Sequence, residues 1–547
     1  MATNQSRPVD FAPGTVRLLE FDDAVPGDAE LILVPAPSSH PDDPLNWSAP
    51  RKWLSLACVA FYTFSSGSLT AALYSIYPDY SAATGIAIPT LNQAVGVMFL
   101  LVGFGPMLTT PLSNIIGKRP IYLLSLFLSG ALAIWSVFIK STPQWYGRCV
   151  LLGIAGGPVF ASTEVSVSDV FFAHERALPM GIYIIALYLG ALAAPLFGAY
   201  VAAAWDYRAV FYFCAILIYA TFAFCYIFME ETNYVRPSPL ESAHTSDDSD
   251  DEHKTVDPYK IAASSHVVQV DAKRKSFVKR MALFERPGLQ AGKIFKVGIL
   301  QPVAFLRLPI VWWCAVMYAF GQVWFNLMNA LTASILMAPP YNFSVKQVGL
   351  AYLSPMVLTI PRRVLSSASP SVILYGWVND KWALWMAKRR GGISEPEDKL
   401  SLLLLTTAIP LPVSLLMLGL PPTYAWHWAA YVVAGMGMSV MFGSFLTASS
   451  IYYLFDCYHT FRPYSYDLPT SDSPQILALL MPTMAISFGF NYAVSPWTAG
   501  IGLRSFGISA CFTAFGCSLL TLPMLHWGKA LRIRDAAMYY GEGGSNT

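Results

Sequence analysis

Twelve stretches of this chain are each apolar for about twenty residues or more, and that single feature excludes nearly every soluble architecture. They lie near residues 53–75, 91–112, 120–139, 145–170, 178–202, 209–229, 308–337, 347–378, 400–420, 425–455, 475–498 and 504–528. A helix of about 20 apolar residues crosses the hydrocarbon core of a bilayer, and it satisfies the backbone groups that lipid cannot. Only 12% of the 547 residues are charged, against about 25% in soluble domains. A water-soluble chain this apolar would expose adhesive patches, whereas one facing lipid would not. The expected fold is therefore all-α and polytopic, with the lipid bilayer as its first partner. A net charge of +2 makes no case for nucleic acid as a partner.

The runs fall as six, a long polar stretch, and six. They divide the chain into an N-terminal tail (1–52), a six-helix bundle (53–230), a linker (231–306), a second six-helix bundle (307–529) and a C-terminal tail (530–547). Lysine and arginine set the expected orientation. Even-numbered loops carry Lys118 and Arg119, Arg176, Lys273–Lys275 with Lys279 and Arg280, and Lys381 with Lys388–Arg390; odd-numbered loops carry single cations such as Lys140, Arg208, Lys346 and Arg504. Both tails and the linker are thus expected in the cytosol, with the plasma membrane as the site of residence. The first fifty residues hold no apolar signal core, so the first run is expected to act as an uncleaved anchor. Within the linker, acidic Ser246–Glu252 precedes basic Lys273–Arg280. It reads as a solvated connector or as a phosphorylation target beside a membrane-surface patch.

No nucleotide-binding G-x4-G-K-[ST] string and no H-E-x-x-H or G-x-S-x-G string occurs, so an ATP-driven pump or an enzyme is not expected. The eight cysteines form no C-x-x-C pair and lie almost entirely in apolar runs, where they read as small fillers; no metal site and no cofactor is expected. Ionisable and amide side chains inside apolar spans are the candidate functional groups. Glu164 is the one carboxylate well inside a span. It is the candidate proton carrier or a side chain paired in helix packing. Asn92 and Gln93 in the second span, Arg148 at the start of the fourth, and Gln322, Asn326 and Asn329 in the seventh are candidates for a central cavity. The last three stand at i, i+4 and i+7, a polar face on an apolar helix that should turn from lipid.

Two inner loops carry related motifs. Leu112–Pro120 holds Gly117, Lys118 and Arg119 between the second and third spans, and Gly376, Asp380 and Lys381 follow the eighth. Recurrence at matching places in two six-helix halves marks a duplicated carrier. In the fifth span, Gly190, Pro195 and Gly198 allow close helix crossing and a bend. These features resemble the major facilitator superfamily. Gly117, Lys118 and Arg119 match its loop 2–3 signature, although Asn114 stands at the acidic position and Thr110 at the leading glycine. Pro44–Trp47, Ser168–Arg176, Glu230–Tyr234 and Phe455–Tyr458 are similar to strings of its fungal drug:proton antiporter branch with twelve spans. The Gly190–Gly198 stretch matches the antiporter motif in part, and the Arg-Asn pair common in the eleventh span is absent from Met481–Ala485. Leu358–Ser371 and Thr460–Ser473 read as insertions.

The resemblance implies the major facilitator fold of two six-helix bundles. It also implies an efflux pump that exchanges protons for a small-molecule substrate such as a drug, toxin or secondary metabolite. The alternatives are proton-coupled uptake of a nutrient such as a polyamine or amino acid, and a membrane receptor that transports nothing.

Overall fold

A computed structural model describes residues 43–172, 177–233, 291–359, 393–458 and 474–540, with isolated positions at 16–17, 40, 175, 378, 381–382, 385–386 and 388–389. The first half contains α1 (Ala49–Ala71), the short α2 (Tyr77–Thr84), α3 (Ile88–Ile116), α4 (Lys118–Ser136), α5 (Thr142–Ala155), α6 (Ala161–Val170), α7 (Ala177–Ala204) and α8 (Tyr207–Phe228). The second contains α9 (Ala291–Phe305), α10 (Pro309–Met337), α11 (Val345–Ala351), α12 (Leu353–Thr359), α13 (Pro396–Thr407), α14 (Pro410–Thr423), α15 (Met438–Tyr458), α16 (Pro474–Leu519) and α17 (Thr521–Tyr540). A π-helical turn, Ala430–Gly437, leads into α15. Val16–Arg17 (β1) pairs antiparallel with Ile393–Ser394 (β2).

Among the described residues, ten helical stretches are long and apolar enough to cross a membrane. The last, Ile476–Asp535, has 60 residues, about 90 Å of helix against a core of about 30 Å. It must fold back, and it does so at Gly502, whose φ of 74° interrupts the helical backbone. The eighth expected run is described to Thr359 and at Val378. Pro89, Pro143, Pro309, Pro396 and Pro410 stand in the first turns of their helices, where a missing N–H is not needed. Large apolar side chains such as Phe127, Phe138, Ile216, Leu405 and Phe512 point outward, as a lipid-facing surface requires.

Three charged groups of helix ends gather at one end of the molecule, the charged end. Arg51 at the start of α1 pairs with Glu230 beyond α8 at 2.5 Å, Lys118 at the start of α4 pairs with Asp169 at the end of α6, and Lys399 in α13 pairs with Asp456 in α15 at 2.7 Å. The halves meet through α3 against α16 and through α7 against α11 and α12. At the opposite end Gly349 of α11 lies against Ala199 and Leu196 of α7.

Helix also forms within the expected linker and continues into the expected C-terminal tail. The last part of the linker is the helix α9, which packs on α3 and α16, because Val297, Pro302 and Phe305 give it a buried side. At the C-terminus α17 runs on to Tyr540, and Arg532 is 1% exposed inside the second half.

Candidate functional site

A cavity of roughly 1240 Å³, open mouth included, lies between the halves. It is lined by α1, α3, α6 and α7 from the first half and by α10, α15 and α16 from the second. Nine lining side chains are aromatic, among them Tyr74, Phe160, Tyr183, Tyr318, Tyr452 and Phe455. Tyr188 and Phe325 meet edge to face across the divide, their centroids 6.2 Å apart. Glu164 is the one charged lining side chain among the described residues, and Thr70, Gln322, Ser444 and Thr447 supply the polar remainder.

Glu164 reaches this place because the fourth span is broken. Gly156–Gly157–Pro158 cannot continue α5 smoothly, so a 3₁₀ turn at Gly157–Val159 intervenes before α6. The new helix presents Glu164 to the cavity at 9% exposure. It forms no ion pair among the described residues. An isolated carboxylate in apolar surroundings is costly unless a proton or a cation neutralises it.

Of the other expected cavity residues, Gln322 alone lines it. Arg148 is 2% exposed within the first half; its Nε donates to the Ser136 hydroxyl at 3.0 Å, and its guanidinium lies 4.9 Å from the Trp145 ring centre. Break and distance together separate it from Glu164. Asn92 is buried and Gln93 half-buried on α3, neither in the lining. Asn326 and Asn329 are buried on α10 beyond the cavity's reach.

The inner turn is built as a receptor for one carboxylate. Gly117 ends α3 and starts α4 with φ 102° and ψ 155°, a conformation that side chains disfavour. The turn aims the N–H groups of Lys118 and Arg119 at Glu231, which accepts them at 2.9 and 3.0 Å. Arg119 Nη2 also donates to the Tyr226 carbonyl at 2.7 Å. Lys381 is exposed; Gly376 and Asp380 lie outside the described residues. In the crossing motif, Gly190 packs on the Phe64 backbone of α1, and a Cβ on Gly198 would stand 2.8 Å from the Ala72 carbonyl oxygen. Pro195 lies inside α7 between them.

The sequence reading missed the aromatic lining and a buried group in the second half. There Glu397 accepts from Arg532 and from the Tyr453 hydroxyl. Glu395, Glu397 and Asp398 opening one span, with Lys529 and Arg532 near the chain's end, were the available signal.

A sequence profile of the Major Facilitator Superfamily matches residues 59–454. The chain belongs to that superfamily. It is a membrane transporter rather than an enzyme. An uncharacterized MFS-type transporter of Schizosaccharomyces pombe is 27% identical over 94% of this chain and 90% of its own. Protein HOL1 of Saccharomyces cerevisiae is 25% identical over 98% of both. The MFS antiporter QDR3 of Candida albicans is 25% identical over 37% of this chain and 29% of its own.

Proposed function

We propose that this superfamily member is a proton-coupled antiporter that exports small organic compounds bearing a cationic group on a largely apolar body. One observation carries the reading: among the described residues a single carboxylate, Glu164, stands in a cavity whose other lining side chains are aromatic or apolar apart from Thr70, Gln322, Ser444 and Thr447. Aromatic faces and a carboxylate both attract cations. A proton and a cationic solute each neutralise Glu164, and they exclude one another. That competition is sufficient to couple their movements in opposite directions. The partial likeness to an antiporter supports the exchange. Uptake of a polyamine would call for more than one carboxylate, and the described lining offers one. The lysine- and arginine-bearing charged end faces the cytosol in this proposal, with both termini there and the plasma membrane as the location.

The test is flux in proteoliposomes under an imposed pH gradient. Tetraphenylphosphonium should move against the proton flow, while an uncharged compound of similar size should not follow the gradient. Gradient-independent movement of the cation, or equal movement of the neutral compound, defeats the proposal.

A further inference from the structure

Helix α10 carries a polar face that the cavity uses only at one end. Gln322, Asn326 and Asn329 fall within about 60° of arc at 100° per residue. Gln322 lines the cavity. Asn326 is 2% exposed, and neither its Oδ1 nor its Nδ2 has a hydrogen-bond partner among the described residues. Asn329 is fully buried; its Nδ2 donates to the Phe325 carbonyl at 2.9 Å, while its Oδ1 is unpaired.

The neighbouring α16 repeats the pattern. Thr483 donates to the Ala315 carbonyl of α10 at 3.2 Å, and the Phe320 and Phe490 rings lie 5.3 Å apart, so the two helices run side by side here. At successive turns beyond Thr483, Ser487 Oγ and Asn491 Nδ2 are buried and unpaired. The third side belongs to α3, where a Cβ on Gly96 would stand 3.1 Å from the Asn491 Cβ.

One orphaned amide is a packing accident. Unpaired buried polar atoms occur elsewhere among the described residues, but here four such side chains are aligned along two adjoining helices and continue from a cavity residue, and a state in which they find partners accounts for that alignment. Polar faces inside a membrane protein turn to a water-filled path or to a solute.

We propose that Asn326, Asn329, Ser487 and Asn491 line the solute's path in a second conformation, in which the halves part at the end away from the charged cluster. The unpaired Asn326 and Asn329 oxygens then accept from N–H groups of an ammonium solute or from its water. This rests on the transporter reading above, and its main test needs no transported solute.

Asn326→Cys is treated with a membrane-impermeant maleimide from each side of the membrane. Exposed Lys388→Cys marks the charged end, and the unsubstituted protein, whose cysteines are buried apart from half-buried Cys511, gives the baseline. Asn326→Cys should react from the side opposite Lys388→Cys, at least about tenfold faster than baseline. No reaction from that side under either direction of pH gradient overturns the proposal. Asn326→Leu provides a second reading should the cysteine variant misfold. Removing an unpaired amide should leave the thermal midpoint unchanged or higher while flux falls about tenfold. A raised midpoint with unaltered flux would reduce these residues to inert packing. Loss of cation selectivity with the labelling intact would defeat only the cation reading.

Discussion

Arg532 Nη2 lies 2.5 Å from Glu397 Oε2 in the second half, with side chains 0% and 7% exposed. In the first half the opening of α4 supplies donors, Lys118 and Arg119, to an acid beyond α8; in the second the opening of α13 supplies the acid and α17 the cation. The two clamps hold matching helices with reversed polarity.

Removing one member of such a buried pair leaves the other charge uncompensated, at about 3–5 kcal/mol. Glu397→Gln should therefore lower the thermal midpoint sharply in detergent, because Arg532 loses its counter-charge and Tyr453 keeps only an amide. The double variant Glu397→Leu with Arg532→Met should recover most of that loss, since two apolar side chains replace two paired charges. A double variant no better than Glu397→Gln would show that the clamp contributes through some other contact.

Glu231 makes the first-half clamp sensitive to pH. Burial holds its carboxyl above the ordinary value of 4.5, against the N–H groups of Lys118, Asn233 and Arg119 and the Lys118 charge, all of which favour ionisation. The folded protein thus binds this proton more readily than the unfolded chain does. Its contribution to stability is full below pH 4.5 and declines as pH rises through the folded-state value. Glu231→Gln cannot titrate, so its midpoint measured against pH should lack this decline. Parallel profiles for variant and parent would exclude Glu231 as the source.

Gly117 is a separate test of the same turn. Its φ of 102° disfavours any side chain, and an added Cβ would stand 2.5 Å from Glu231 Oε2. Gly117→Val should displace that carboxylate and weaken the clamp. We expect flux to fall about tenfold, the equivalent of ~1.4 kcal/mol, with surface abundance retained. Normal flux at normal abundance would make the turn no more than a generic basic loop.

These clamps explain what could be read from the sequence and what could not. The spans were legible because lipid imposes a length and an apolar composition on each one; even the reversal at Gly502 falls in the gap between two runs. Glu164 and Gln322 were legible because a polar residue contrasts with an apolar span. Tyr183 and Tyr318 were not, because an aromatic residue in an apolar span reads the same whether it faces lipid, core or cavity. The Glu397–Arg532 pair joins positions 135 residues apart, and no local pattern reports such a meeting. Helical spacing grouped Asn326 and Asn329 with Gln322, yet spacing cannot show where the halves close above the cavity.

Glu164→Gln separates coupling from mere carriage. Glutamine keeps the shape of the side chain and fixes it in the uncharged form. On the proposed exchange, protons compete with a cationic solute for this carboxylate in the parent, so cation binding should weaken as pH falls. In the variant that dependence should vanish, and binding at alkaline pH should fall about tenfold, ~1.4 kcal/mol of lost attraction. An uncharged aromatic compound, held by Tyr183, Phe325 and their neighbours, should bind as before. Extrusion against a gradient should stop in proteoliposomes, because no proton is exchanged at the site. Glu164→Asp retains the charge and should restore the pH dependence at reduced flux, which a purely structural role for Glu164 would not predict. The decisive measurement pairs binding at several pH values with gradient-driven flux. Proton-driven flux that persists unaltered in Glu164→Gln would move the coupling group to another residue.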